Sequence, residues 1–247
     1  MFIHFIFYAL FYYSGACLGS FLYCLAGQWV HHSFRWNARS SCDSCSYLLH
    51  WYDLFPIFSF IICLGKCRSC QSPLGWVYLL SEIVTSFLFG TMSILLYQQS
   101  PFPLYAYYLL VLTLLVLMSF CDLHARWVPD ILQICLLVVI FFYRSHLGLD
   151  QPFHLAYALS FSCLLGFLYL MAPHSIGGAD IKLLAILSFA VPPLSVPYLL
   201  LIASFSALLY LSSASLILKE RIKSLPFVPF ISVSFYIVGI MLTLSNI

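Results

Sequence analysis

Charge is what this sequence has least of. Only 8 of 247 residues are Asp or Glu and 10 are Lys or Arg, 7% together, where a soluble domain carries about 25%. With 63% of the chain hydrophobic, there is too little polar surface to cover a water-exposed globule. The shortage excludes a soluble enzyme, an intrinsically disordered chain and a nucleic-acid-binding module. No internal repeat and no low-complexity stretch stands out. No basic segment precedes the first apolar run and no small-residue cleavage site follows it, so that run is expected to be a retained helix. What is present in abundance is apolar sequence, with 18% of the chain aromatic, and the expectation is a polytopic membrane protein in contact with lipid.

A hydrocarbon core about 30 Å thick needs roughly 20 apolar residues in a helix. Runs of that length, or nearly so, cover 4–30, 76–97, 102–120, 131–143, 153–172, 181–191, 198–218 and 227–245. The expected fold is therefore all-α, with about eight transmembrane helices. The runs 131–143 and 181–191 are short, and Pro192, Pro193 and Pro197 end the second of them, since proline lacks the N–H and clashes with the preceding turn. The apolar piece 54–64, broken by Pro56, is too short to span and reads as a hairpin or an interfacial segment.

Orientation follows from the basic residues of short loops. With the N-terminus outside, Arg35, Arg39, Lys66, Arg68, Arg126, Lys182, Lys219, Arg221 and Lys223 fall inside, and only Arg144 falls outside. The sizeable polar segment, 31–75, then lies in the cytoplasm between the first and second spanning helices. This gives three parts: a first helix over 1–30, a cytoplasmic module over 31–75, and a membrane-embedded part over 76–247.

The ten cysteines divide into two kinds. Cys17, Cys24, Cys63, Cys121, Cys135 and Cys163 lie in or beside apolar runs, where cysteine packs as a small hydrophobe. Cys42, Cys45, Cys67 and Cys70 form two C-x2-C knuckles, the pattern of a tetrahedral zinc site with four thiolate ligands. The reducing cytosolic face disfavours disulfides; a redox pair or unpaired thiols is the alternative. A four-thiolate site is closed, so such a metal stabilises the module and does not catalyse. Lys66 and Arg68 stand beside it to offset thiolate charge.

Among the acids, Asp43 and Asp53 belong to the cysteine module, Asp150 to an external loop, and Glu220 to a run of basic residues. Glu82, Asp122, Asp130 and Asp180 remain, at helix ends or within helices, where an ionisable side chain is a functional hypothesis by default. Asp122 follows the third span and Asp180 opens the sixth in Gly177-Gly178-Ala179-Asp180-Ile181-Lys182. The orientation puts both at the cytoplasmic boundary. Two neighbouring carboxylates share a proton, so one can act as base on a water and the other as acid to a carbonyl oxygen. The glycines permit close approach of backbone or substrate. The structural alternative is a helix cap, or pairing with Arg126 or Lys182; Asp130, after Pro129, fits a cap better than Asp122 does. Lys182 and Glu82 are candidates to orient or recognise substrate. His4, His146 and His154 read as interfacial, His31, His32 and His50 flank the cysteine module, and no spacing makes His124 or His174 a ligand. A transporter or channel with a zinc-bound regulatory module is the competing class; it needs acids at mid-membrane.

Taken together these segments resemble the bacterial type IV prepilin leader peptidases over nearly the whole chain. The resemblance runs through Gly19-Ser20-Phe21, Asp53-Leu54-Phe55-Pro56, Gly65-Lys66-Cys67-Arg68 and Tyr78 through Glu82. It is strongest at Asp122 with Pro129-Asp130 and at Gly177 through Lys182. It implies an aspartic endopeptidase with Asp122 and Asp180 as the catalytic pair, cutting type IV prepilin or pseudopilin precursors after the glycine of a short basic leader. It also implies methylation of the new N-terminal residue from S-adenosylmethionine, in the bacterial cytoplasmic membrane. Ala179 replaces the usual glycine before the second aspartate, His124 replaces a common second acid, and Asp43 replaces the proline of the first knuckle. Tyr23 stands where an asparagine is typical, so the resemblance carries the peptidase more fully than the methyl transfer. The compact size and altered N-terminal motif are similar to members that serve competence pseudopili.

Overall fold

The computed structural model describes residues 2–30, 41–42, 44–99, 101–146, 152–171, 177–218 and 225–245. Arg35, Arg39, Lys219, Arg221 and Lys223, on which the orientation partly rests, lie outside the described residues, as do His31, His32, Asp43, Asp150, His174 and Glu220. All of the long apolar runs fold as helices. These are α1 (Phe2–Val30), α3 (Trp76–Gln99), α4 (Phe102–Ala125), α5 (Asp130–His146), α6 (Pro152–Met171), α7 (Gly178–Ala190), α8 (Val196–Leu218) and α9 (Val228–Ser245). A five-residue helix, α2 (Phe58–Ile62), lies within the polar segment. Among the described residues the only β pairing is two isolated bridges. The chain is an all-α, multi-pass membrane protein. Among the described residues, five helices (α1, α3, α4, α6 and α8) are long and apolar enough to cross a membrane. The others are shorter, α7 because Pro192 and Pro193 follow it directly.

The chain divides into two compact units, Met1–Ile94 and Leu95–Ile247. In the first, α1 and α3 pack backbone to backbone. A Cβ on Gly15 would lie 2.9 Å from Phe89 Cβ and from the Thr85 carbonyl oxygen, and one on Gly19 would collide with the Thr85 side chain. Glycines four apart on one helix face admit this approach, and interhelical hydrogen bonds add to it in an apolar solvent; the Ser86 hydroxyl donates to the Tyr12 carbonyl at 2.7 Å. The piece 54–64 becomes a 3-10 turn (Trp51–Leu54) followed by α2. Trp51, Phe58, Ile62 and Leu64 are exposed, as the side chains of an interfacial segment are.

In the second unit neighbouring helices follow the order α8–α9–α4–α5–α7–α6. Helix α4 is the central element, with an unbroken buried series from Leu115 to Asp122. It meets α9 at a serine pair: Ser119 and Ser232 hydroxyls lie 2.7 Å apart, and Ser232 also donates to the Leu115 carbonyl at 3.2 Å. In a largely apolar interface these bonds set the sliding register of α4 on α9. Outward side chains such as Leu164, Leu170, Leu208 and Leu216 are exposed, which suits a lipid-facing surface.

Candidate active site and metal centre

The cysteine module is built from one backbone unit used twice. The Cys42 N–H donates to the Tyr47 carbonyl at 2.9 Å and the Ser46 N–H to the Cys42 carbonyl at 2.9 Å; Cys67 with Ser72 and Gln71 with Cys67 repeat this at 2.9 and 3.0 Å. Bridges Ser41–Leu48 and Lys66–Pro73 flank the two turns in the same way. Each turn closes on a left-handed residue, Ser46 (φ 55°) or Gln71 (φ 58°). The sulfurs of Cys42, Cys45, Cys67 and Cys70 all lie within 4.8 Å of one another, with Cys42–Cys70 at 3.9 Å and Cys45–Cys67 at 4.0 Å. Tetrahedral geometry at a metal–sulfur distance of about 2.3 Å requires sulfur separations of about 3.8 Å. The four cysteines therefore fit a metal ion.

Electrostatics within the cluster are uneven. Backbone N–H groups of Cys45 and Ser44 draw Cys42 down to about 6, and the Ser72 hydroxyl and N–H lower Cys70. Although the Tyr47 N–H favours its thiolate, desolvation and the neighbouring thiols push Cys45 up to about 11. Four thiolates at this spacing repel one another, and a bound cation removes that conflict. Arg68 does not face the thiolates alone. It pairs with Asp53 at 3.1 Å, lies 5.0 Å from the centroid of the Tyr52 ring and donates to the Cys63 sulfur at 3.6 Å. Asp53 is thus a structural partner of the module.

Glu82 is buried on α3 and accepts the Ile57 N–H at 2.7 Å; its carboxylate is also hydrogen-bonded by Ser20 of α1. Ile57 (φ 66°, ψ −53°) lies in a tight turn in which the Phe58 N–H reaches the Pro56 carbonyl at 2.7 Å. That conformation is strained for a β-branched residue, and the Glu82 bond holds it. One turn earlier on α3, Tyr78 packs edge-on against Tyr23 at 4.9 Å. The nearby apolar cleft of about 460 Å³, lined by Tyr13, Tyr52, Phe55, Phe58, Ser59 and Ile62, contains no carboxylate.

In the second unit Asp122 lies inside the last turn of α4, not after it as the length of the apolar run suggested, because the helix continues to Ala125. Arg126, in the left-handed conformation (φ 53°), closes the helix with its N–H on the Asp122 carbonyl at 2.8 Å. The Asp122 side chain is buried and accepts the Val228 N–H at 3.1 Å, with the neighbouring Phe227 N–H near enough to act on it as well. Asp180 occupies the first turn of α7 after Gly177. The charge acting on the Asp180 carboxyl is that of Asp122, so the two acids lie within electrostatic reach of each other. A Cβ on Gly177 would stand 2.6 Å from Asp180 Oδ2; glycine leaves the carboxyl its present place, and a larger residue would oblige it to turn aside.

Asp122 is buried and Asp180 half-buried, on the two helices that flank α5, and the sequence that carries them matches known proteins. Residues 109–212 match the Type IV leader peptidase family and residues 13–96 match the Bacterial Peptidase A24 N-terminal domain. A Bacillus subtilis (strain 168) prepilin leader peptidase/N-methyltransferase is 31% identical over 230 residues, 88% of each chain. The chain belongs to the type IV leader peptidase family. A further member, from Vibrio cholerae, is 26% identical over 215 residues, covering 81% of this chain and 80% of its own. The type 4 prepilin-like proteins leader peptide-processing enzyme of Escherichia coli is 28% identical over 204 residues, 78% and 72%. No solved structure matches the chain.

The remaining candidates of this family member take different places. Lys182 turns away from Asp180 and pairs with Asp130 at 2.9 Å. Both ends of that pair are well exposed, so its contribution is below about 1 kcal/mol. Buried Gln133 of α5 donates to the Ala179 carbonyl at 3.4 Å, fastening the turn that carries Asp180. A Cβ on Gly178 would find the Tyr169 hydroxyl as its nearest neighbour, at an ordinary 3.5 Å. His50 stacks on Tyr52 at 5.2 Å. Sequence reasoning missed Gln133 and the Phe227–Val228 amides. Backbone donors have no residue-type signature; only Pro226 and Pro229 marked a helix start there.

Proposed function

We propose that the chain is a membrane aspartic endopeptidase that removes the short leader of type IV prepilin or pseudopilin precursors, with Asp122 and Asp180 as its acid/base pair. The observation that carries the reading is the buried Asp122 carboxylate, electrostatically engaged with Asp180 and fixed by backbone bonds, in a family of leader peptidases. One carboxylate takes a proton from a water, the water oxygen attacks the scissile carbonyl carbon, and the other carboxyl gives a proton to the carbonyl oxygen. Collapse of the hydrated intermediate breaks the C–N bond as the amide nitrogen is protonated. Both acids belong to the part 76–247. Gly177 and Gly178 admit the Asp180 carboxylate and approaching backbone, and Glu82 and Lys182 act at a distance through the elements they bind.

The module over 31–75 holds zinc through Cys42, Cys45, Cys67 and Cys70, and the metal's role there is to keep the two knuckles folded. The basic residues favour an outside N-terminus, a helix over 1–30 entering from that side, and an active site at the cytoplasmic face of the bacterial membrane. The relatives' names join the peptidase to an N-methyltransferase, so methylation of the new N-terminus from S-adenosylmethionine is the second activity to read. Mass spectrometry of a co-expressed precursor tests both. A leader removed after its terminal glycine supports the peptidase, and an added methyl group on the product supports the transfer. Asp122→Asn and Asp180→Asn are each expected to reduce cleavage by roughly 10²–10⁴-fold or more; cleavage at the wild-type rate in either overturns the pair.

A further inference from the structure

The start of α9 has an unusual hydrogen-bond account. A helix leaves its first N–H groups without intrahelical partners. Here the Phe227 carbonyl accepts the Phe230 N–H at 3.1 Å and the Ile231 N–H at 3.3 Å, so Phe227 occupies the capping position and Val228 the first helical one. Pro226 and Pro229 have no N–H to offer. The donors left over are those of Phe227 and Val228; the Val228 N–H bonds the Asp122 side chain at 3.1 Å, and the Phe227 N–H lies near enough to act on the same carboxylate. The carboxylate of one helix thus caps another that lies 106 residues later in the chain. The Ser119–Ser232 bond, one turn deeper on both helices, holds the register that brings donors and acceptor together. Residues 109–212 carry the family match, and α9 lies beyond them.

We propose that the Phe227 and Val228 backbone amides form an anion seat that keeps Asp122 ionised, making Asp122 the base that activates water and Asp180 the acid. Two N–H donors favour a carboxylate over a carboxylic acid, and the positive end of the α9 dipole adds to them. Among the described residues no hydrogen bond reaches the Asp180 carboxyl, and the charge it faces is negative; it therefore holds the shared proton. Among the described residues, the charged and titratable groups acting on Asp122 are Cys121 in its own helix, Arg126 at the end of that helix and Asp180 from α7. Helix α9 contributes amides and no ionisable side chain before Tyr236, and Asp130 of α5 is engaged by Lys182. In the forward step Asp122 receives the water proton while Asp180 protonates the carbonyl oxygen. In the collapse step Asp122 passes its proton to the leaving nitrogen and Asp180 recovers one from the diol, so both carboxyls return to their starting states. Phe227 and Val228 are positioning residues acting through Asp122.

The inference rests on the peptidase reading, and the test keeps the two apart. Val228→Pro removes one amide donor at a position where proline suits a helix start; Val228→Ala trims the side chain and keeps the donor. Cleavage of a precursor by the full-length enzyme is followed as kcat/KM against pH, with thermal melting as a check on folding. For Val228→Pro the acidic limb is expected to move up by about one pH unit, a loss of about tenfold at pH values below the limb. For Val228→Ala the limb stays in place whatever the absolute rate. An unmoved limb in a folded Val228→Pro enzyme, or the same movement in Val228→Ala, overturns the proposal. Should Val228→Pro not fold, Phe227→Pro against Phe227→Ala decides by the same criterion. Wild-type cleavage by Asp122→Asn or Asp180→Asn is a different failure, that of the acid pair itself.

Discussion

At the scale of single residues, the second unit assigns different work to acids that look alike in sequence. Asp122 is buried and bonded by amides, Asp180 is half-buried beside a glycine, and Asp130 is exposed with Lys182 upon it. Burying an acid without partners is costly: Asp122 lies inside with an amide donor upon it, and Asp180 stays only half-buried, close against Gly177. Gly177→Ala tests that packing. Its Cβ would stand 2.6 Å from Asp180 Oδ2, and the carboxyl must shift to make room. Misplacing a catalytic group by about 1 Å can cost about 10²-fold in rate. Cleavage is expected to fall on that order while the melting temperature changes little; unimpaired kcat in Gly177→Ala would show that Asp180 need not sit where Gly177 allows it.

At the scale of elements, the cysteine module and the helix ends rest on different physics. Each knuckle is a short turn with two backbone bonds and a left-handed residue, too little to fold alone, and the four sulfurs supply the missing cross-link when a metal joins them. Cys67→Ser, at the buried ligand, is expected to abolish stoichiometric zinc and lower the melting temperature of the purified protein. Zinc content unchanged from wild type, read by elemental analysis, would refute the site. Glu82 links three elements of the same unit, α1 through Ser20, α3 itself and the turn at Ile57. That explains an acid within an apolar run: it supplies the acceptor that holds a strained turn, and nothing in its spacing revealed the partner. Asp122 makes the related point for α4. Apolar composition ends the run before the helix ends, because the last turn is kept helical by burial against α9 and not by its own hydrophobicity.

For the molecule as a whole, the orientation is the property that places cleavage on one side of the membrane. A periplasmic-reporting phosphatase fused after Gln99 is expected to be active and one fused after Gly75 inactive; the reverse pattern would invert the topology. The scarcity of charge already dictated a membrane protein, since a chain with 7% charged residues cannot cover itself with polar surface. Run length marked the helices, and C-x2-C spacing marked the four cysteines that cluster within 4.8 Å of one another, because both depend on local geometry that a chain carries wherever it folds. The order of Asp122, Pro129-Asp130 and Gly177 through Lys182 was enough to reveal the family resemblance. Tertiary structure alone decided which donors serve which acids. Asp122 meets the amides of α9, Lys182 meets Asp130 and not Asp180, and Glu82 meets Ile57. Those partners are brought together by helix packing across long stretches of chain, and a backbone amide has the same chemistry in every residue but proline, so no pattern of side chains could announce them.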